Sequence, residues 1–549
     1  MNKIENDLVK SITDIILKKF EYQCDDGLVM IEIPKDNKNG DYSANIAMRL
    51  TKILRRRPQE IAQVIVEAIA ENVDFVEKVE IAGPGFINFF IKKDELAACI
   101  NTVFEMNDKY GENESGNKLP ILVEYVSANP TGILHLGHAR GAVWGDCICR
   151  LLNKSGYNCL REYYVNDAGN QINMLGESVL VRYKELFGIE GDIPEDGYAG
   201  EDIKNIAAII KDKYGDKFLA MEKAEAVEFL KKAGKELELK QIEEDLEYFG
   251  CEFDSWVSEQ WIVDEGRVEK AVAKMDEMGL IYEEDDALWF KSSEYGDDKN
   301  RVLKKSTGFY TYLTPDIANH IYKFERGYTK LVNLWGADHH GYIPRMKAAI
   351  EALGYGKDAL EVDLIQMVRL VENGQEVKMS KRTGNAVTIR ELVDDIGVDA
   401  ARYFFVSKAV DVHLDFDLGL ARSKTSDNPV FYAQYAHARM CSILRNYGKD
   451  VEKLPKYDLL TSEKEVDLLK YINEFVSVVA DAAATRMPNK ICNYIQKLAG
   501  YFHSFYGSNK IINPDDENLT KQRMALLLAT KITLANALNL IGISAPEKM

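Results

Sequence analysis

The stretch Ile121-Leu122-Val123-Glu124-Tyr125-Val126, then Ser127-Ala128-Asn129-Pro130-Thr131-Gly132, then His135-Leu136-Gly137-His138, decides the fold of this 549-residue chain. The first segment reads as a buried strand, the second as a polar turn, and the third as the opening of a helix that runs to about Asn153. A strand feeding a helix in this way aims free N–H groups and the positive end of the helix dipole at one spot, which favors a phosphate. His135 and His138 share one face of that first turn and can donate hydrogen bonds as charge builds on a phosphoryl oxygen. Gly137 between them leaves room for a flat base against the backbone. An isolated His-x-Gly-His more often caps or packs a helix. Here the strand and the Asn-Pro-Thr-Gly turn ahead of it move the reading toward phosphate.

Outward from this motif, Pro120 to about Leu420 alternates apolar strands with helices, the pattern of an α/β parallel sheet. Within it, 201–247 is a charged, helix-favoring stretch that reads as an insertion at about 201–250. Residues 1 to about 110 read as a small α+β unit. A helical pattern (Ile4, Leu8, Ile12, Ile15, Ile16) precedes strand-like alternation at 28–33 and a Gly83-Pro84-Gly85 turn into a strand. The polar segment 107–118 reads as a linker. After Asn428 the strand signals stop, and the long helical patterns at 461–485 and 520–540 predict an all-α bundle. The expected units are 1–110, 111–425 and 426–549.

The apolar share of 46% and charged share of 29% are those of a globular protein, and no run reaches the length of a membrane span. The polar start lacks a signal-peptide core, so a cytoplasmic location and no membrane partner are expected. The eight cysteines include no CxxC pair, so neither disulfides nor structural zinc, nor any other resident metal, is expected. A net charge of −19 argues against a nucleic-acid partner until its distribution is read. Residues 421–549 carry 17 Lys and Arg against 13 Asp and Glu, a local balance of +4, and the N-terminal unit holds Arg55-Arg56-Arg57.

A second motif, Val377-Lys378-Met379-Ser380-Lys381-Arg382-Thr383-Gly384-Asn385, follows the turn Glu372-Asn373-Gly374-Gln375. Lys378 and Lys381 can carry mobile positive charge to a triphosphate, and Gly384 allows the loop to move. Alone, such a loop is usually solvated surface. Following the histidine motif at a distance of about 240 residues, it reads as the other half of one ATP site.

The two motifs resemble the HIGH and KMSKS signatures of class I aminoacyl-tRNA synthetases. That likeness implies a Rossmann-type catalytic domain, with ATP across both motifs and Mg2+ as part of the substrate complex. Leu136 stands where HIGH has a small β-branched residue. The finer sequence is similar to the arginyl-tRNA synthetase family at 124–132, at Tyr164-Val165-Asn166-Asp167-Ala168-Gly169-Asn170-Gln171 and at Tyr310-Thr311-Tyr312-Leu313-Thr314-Pro315-Asp316. The similarity continues through Asp399-Ala400-Ala401-Arg402, residues 428–439 and the ending Ala545-Pro546-Glu547-Lys548-Met549, and so spans essentially the whole chain.

The resemblance implies that arginine is activated with ATP to the adenylate, releasing pyrophosphate, and is then passed to the 3′ end of tRNA(Arg), with activation requiring tRNA. His135, His138, Lys378 and Lys381 would act in catalysis. ATP would meet His135, Gly137, His138, Gly336, Asp338, Met367, Val368, Lys378, Met379, Ser380 and Lys381. Arginine would meet Glu124, Ser127, Asn129, His138, Tyr312 and Asp316, together with His340, which stands where some members carry Gln. A guanidinium is a planar cation with five donors, so carboxylates and an aromatic neighbor suit it. Read without the family, Asp316 could instead cap a helix after Pro315, with Tyr312 packed beside it. Arg55, Arg56 and Arg57 could meet the tRNA elbow or form an exposed basic face. Tyr435, His437 and Arg439 could contact anticodon bases or belong to a core. A monomer is expected.

Overall fold

A computed structural model describes residues 2–25, 27–34, 36–377 and 387–549. The motif Lys378-Met379-Ser380-Lys381 lies outside the described residues.

The strand predicted at 121–126 is Pro120–Glu124, at the center of a five-stranded sheet. Every pairing in that sheet is parallel, in the spatial order Leu360–Ile365, Lys330–Gly336, Pro120–Glu124, Asn158–Val165, Ser255–Ser258. The two strands that follow Pro120–Glu124 in sequence run outward to one side of it, and the last two run to the other side. The order therefore reverses between Pro120–Glu124 and Lys330–Gly336. A doubly wound sheet opens a crevice at the carboxyl ends of its strands at this reversal.

Helices cover both faces, as a parallel sheet buried on two sides requires. Alternation along the strands divides the core accordingly. Val123, Tyr125 and Tyr163 pack with the helix Leu136–Lys154, while Leu122, Tyr164 and Leu331 pack with Leu313–Glu325 and Ile343–Ala352. Val368–Glu372 pairs in parallel with Leu414–Asp417 and antiparallel with Gln375–Glu376, which leads into the lysine motif. The insertion consists of the helices Glu201–Tyr214 and Lys223–Tyr248.

The N-terminal unit has a four-stranded antiparallel sheet against the helices Lys3–Phe20, Ile46–Leu54 and Pro58–Asn72. The strand expected over 28–33 shrinks to Ile31–Glu32, because its one partner is the short strand Tyr42–Ala44. The turn at Gly83-Pro84-Gly85 joins two strands, Val76–Ala82 and Phe86–Ile91. The C-terminal helices Pro429–Tyr447, Glu463–Thr485, Asn489–Ser508 and Glu517–Leu540 form the bundle. No described helix is long and apolar enough to cross a membrane.

Candidate active site

A cavity of about 960 Å³ opens at the strand-order reversal. Its wall includes Ser127, Asn129, His135, Gly137 and His138 from the turn and helix start after Pro120–Glu124, and Gly336 and Asp338 from the end of Lys330–Gly336 and the turn beyond it. Met367 and Val368 close the far side, so nine of the residues singled out from sequence meet in one place.

The chain leaves the first strand sharply. Val126 and Ser127 have φ of 65° and 43°, a left-handed conformation that costs non-glycine residues about 1–3 kcal/mol each. The turn is held because the Ser127 hydroxyl accepts the Tyr164 N–H at 3.1 Å and faces Glu124 Oε1 at 3.4 Å. Asn129 Nδ2 donates to Gln171 Oε1 at 2.5 Å, tying the turn to the next crossover.

His135 is the N-cap of Leu136–Lys154: its Nδ1 accepts the Gly137 N–H at 3.1 Å. His138 Nδ1 accepts the His135 N–H at 3.3 Å, and the two rings lie 4.2 Å apart. Burial lowers the pKa of both rings, and His138, with His135 beside it, falls to about 4. Two neutral imidazoles with Nδ1 occupied as acceptor carry their protons on Nε2. Each Nε2–H is then a ready donor at the positive end of the helix. Gly137 has a different reason from the one expected. A Cβ there would sit 2.8 Å from His135 Cε1, so glycine makes room for the capping ring.

The described residues that flank the lysine motif are held by main-chain bonds. Val377 N donates to Leu370 O at 2.9 Å. On the far side, Leu136 N donates to Val387 O at 3.2 Å and Ile389 N to Leu134 O at 3.1 Å. Main-chain bonds thus join the histidine-motif segment to the described residues that follow the lysine motif.

Arg140, which sequence reasoning missed, sets the third wall. It is fully buried and donates to the carbonyls of Gln366 (3.0 Å), Val412 (2.8 Å) and Ala409 (2.7 Å). Burial lowers its pKa to about 10. Its place two residues after His138 was the available signal.

Behind the cavity, on the face of Leu313–Glu325, lies a group of acids. Glu124 is buried against Lys323, which also lies 3.6 Å from Glu162 Oε1. Burial works to raise the Glu124 carboxyl, and Lys323, His320 and the bonds from Lys323 and Ser127 more than offset it, so its pKa is lowered. Arg326 pairs with the other oxygen of Glu162. Asp167 accepts from Ser258 Oγ at 2.8 Å, Gln260 N at 2.9 Å and Lys235 Nζ at 2.9 Å. Among the described residues, the Asp316 carboxylate has only the Tyr342 hydroxyl, at 2.5 Å. Burial, with Glu124 adding to it, outweighs the Tyr342 hydroxyl and the Lys323 charge and raises Asp316 to about 7. Glu259, also missed from sequence, has no hydrogen-bond or ion partner among the described residues. Burial and then Asp316 raise it to about 7.

Other predicted residues fall differently. Asp316 is not a cap: it lies inside Leu313–Glu325, whose N-cap is Tyr312. Tyr312 stands 81% exposed, outside the acidic group, because it occupies the helix start rather than the face turned to the sheet. His340 is exposed, and its neighbor His339 lines the cavity instead. His437 is corrected as an RNA contact, since it is 2% exposed and its Nδ1 faces Pro546 O at 2.9 Å. Tyr435 is exposed, and Arg439 donates to Tyr506 Oη at 2.7 Å. Arg55, Arg56 and Arg57 are exposed on the turn between two helices, so they form no helix face.

Family models match the chain in three parts: "Arginyl tRNA synthetase N terminal domain" over residues 2–91, "tRNA synthetases class I (R), catalytic domain" over 100–417, and "DALR anticodon binding domain" over 433–549. A doubly wound sheet with a histidine-capped helix at its reversal and these matches define a class I aminoacyl-tRNA synthetase. The chain is 53% identical over 525 residues to the arginine–tRNA ligase of Bacillus subtilis (strain 168), covering 95% of this chain and 94% of that relative. It is 51% identical over 560 residues to arginine–tRNA ligase 2 of Bacillus thuringiensis subsp. konkukian (strain 97-27), covering both chains fully. The chain belongs to the arginyl-tRNA synthetase family. The fold is that of the solved Thermus thermophilus arginyl-tRNA synthetase, with a TM-score of 0.77 at 22% identity and full coverage of both chains.

Proposed function

We propose that this chain works as an arginine–tRNA ligase, with the cavity as the ATP site and the acidic group behind it as the seat of the arginine side chain. The observation that carries the reading is Asp316 and Glu259: two buried acids behind the cavity, neither in an ion pair among the described residues. A guanidinium supplies the missing cation in a geometry that two carboxylates can share.

An oxygen of the arginine carboxylate attacks the α-phosphorus. The bond to the oxygen bridging the α- and β-phosphates breaks, and pyrophosphate leaves with the electron pair. A hydroxyl of the tRNA 3′ ribose then attacks the acyl carbon and AMP leaves. His135 and His138 donate from Nε2 to phosphate oxygens as charge builds, and such in-line transfer needs positioning more than a protein nucleophile. Glu124, Ser127 and Asn129 orient the arginine backbone and side chain. Gly336 and Asp338 meet the ribose, and Met367 and Val368 the adenine. Lys378, Met379, Ser380 and Lys381 complete the triphosphate site. Mg2+ arrives with ATP, bound chiefly by phosphate oxygens, which suits a cavity whose described wall offers Asp338 as its one carboxylate.

Exposed Arg55, Arg56 and Arg57 suit the tRNA elbow, and Tyr435 and Arg439 the anticodon loop. On this reading units 1–110, 111–425 and 426–549 serve elbow, chemistry and anticodon. The protein acts as a monomer in the cytosol, where its eight free cysteines would stay reduced. Aminoacylation with each of the twenty amino acids, ATP and total tRNA tests the reading: charging with arginine alone is expected, and none with arginine would sink it. Arginine-dependent ATP–pyrophosphate exchange is expected only with cognate tRNA present.

A further inference from the structure

Two adjacent tyrosines on the strand Asn158–Val165 point to opposite faces of the sheet, as alternation dictates. Tyr163 is buried among aromatics, stacked on Trp256 at 4.3 Å, and its hydroxyl donates to Ala128 O at 2.9 Å. Tyr164 is nearly as buried, at 7% exposed, on the arginine side of the sheet. Its hydroxyl has no hydrogen-bond partner among the described residues. A buried, unpaired hydroxyl costs about 1–3 kcal/mol, so one kept in a core calls for an explanation.

The surroundings supply one. The charges that act on this phenol are Asp316, then Glu259, Glu124 and Asp167, and together with burial they keep it firmly protonated. The hydroxyl is therefore a neutral group among acids, with its oxygen lone pairs unused. The main chain of Tyr164 is fixed by the Ser127 hydroxyl, so the ring is carried on the same turn that shapes the cavity. A guanidinium seated against Asp316 and Glu259 has five N–H donors, more than two carboxylates in fixed positions readily absorb.

We propose that Tyr164 is a specificity-determining residue for arginine, its phenolic oxygen accepting a hydrogen bond from the guanidinium. This inference rests on the arginine reading above. It accounts for the unpaired hydroxyl as a group satisfied only when the substrate is bound. A site built to pair a substrate N–H discriminates sharply against ligands that lack it, because the partner is then left unpaired. Phenylalanine at this position would fill the same space and remove only the oxygen.

Y164F in the full-length enzyme tests it, with tRNA(Arg) and ATP present and thermal unfolding measured on the free enzyme. Wild-type arginine charging must first be present; its absence would overturn the arginine reading itself. Given charging, Y164F is expected to raise the KM for arginine about tenfold or more, as loss of a hydrogen bond to a charged group does. The KM for ATP should stay within about twofold, and the unfolding temperature should hold or rise, since an unpaired hydroxyl has been removed. An arginine KM within about twofold of wild type would overturn the proposal. So would a clear fall in unfolding temperature, which would assign the hydroxyl a partner in the free protein.

Discussion

The two faces of the catalytic sheet each bury a charge cluster, and the clusters are balanced in opposite ways. On the face of Leu136–Lys154, Asp146 receives both Arg402 and Arg150, with Arg402 and Asp146 fully buried. Arg402 also donates to the carbonyls of Phe249 (3.1 Å), Gly250 (2.9 Å) and Ile541 (3.1 Å). It thereby joins the first-motif helix, the end of the insertion and the tail of the bundle. On the face of Leu313–Glu325, Glu124, Glu162, Asp167, Asp316 and Glu259 share three cations, Lys323, Arg326 and Lys235. The first cluster gives each buried cation acceptors within the chain. The second leaves two acids over. A closed cluster is architecture, and a cluster in deficit is what the proposed arginine seat requires.

Breaking each cluster should therefore have different consequences. Asp146→Ala strands Arg402, and losing one partner of a buried pair costs about 3–5 kcal/mol of stability. Chemical denaturation should register that loss, while the arginine KM of the folded fraction stays put. Asp316→Asn should do the reverse. Arginine binding should weaken by about 2–5 kcal/mol as a buried charge partner is lost, with little change in the denaturation midpoint. Steady-state kinetics on the pure variant would show an unchanged ATP KM, and an unchanged arginine KM would remove Asp316 from the pocket. His138→Asn affects neither cluster. Loss of its Nε2 donor at the developing charge should lower kcat about a hundredfold in single-turnover aminoacylation.

Much of this was legible in sequence because it is local. The strand, turn and capped helix at 120–138 follow from apolar runs, an Asn-Pro-Thr-Gly turn and free N–H groups. Those signals also place the cavity at the strand ends. The balance between the clusters was not legible. Glu259 sits on a short helix with no motif around it, and its importance comes from the charge of Asp316, which the fold brings near it on the same face of the sheet. Lys323 and Arg140 read as ordinary helix charges until the fold buries one against Glu124 and the other beneath Gln366. Tyr312 lies at the start of its helix and stands in solvent, a placement its motif did not reveal. For His437 the sequence left an anticodon contact and a core place open, because the tail that covers it returns from more than a hundred residues away.

The deficit itself can be counted. Asp316 and Glu259, both raised to about 7, are partly protonated near neutral pH in the free enzyme. A guanidinium favors their ionized forms and lowers both values, so binding must release protons, and arginine affinity must fall as the pH drops below about 7. Calorimetric titration of arginine near pH 6.5, in two buffers of different ionization enthalpy, reads that release directly. Each acid is about three-quarters protonated at that pH, so a release of up to about 1.5 protons, much reduced in Asp316→Asn, is what a cluster in deficit predicts. Binding of normal affinity with no proton released would contradict it.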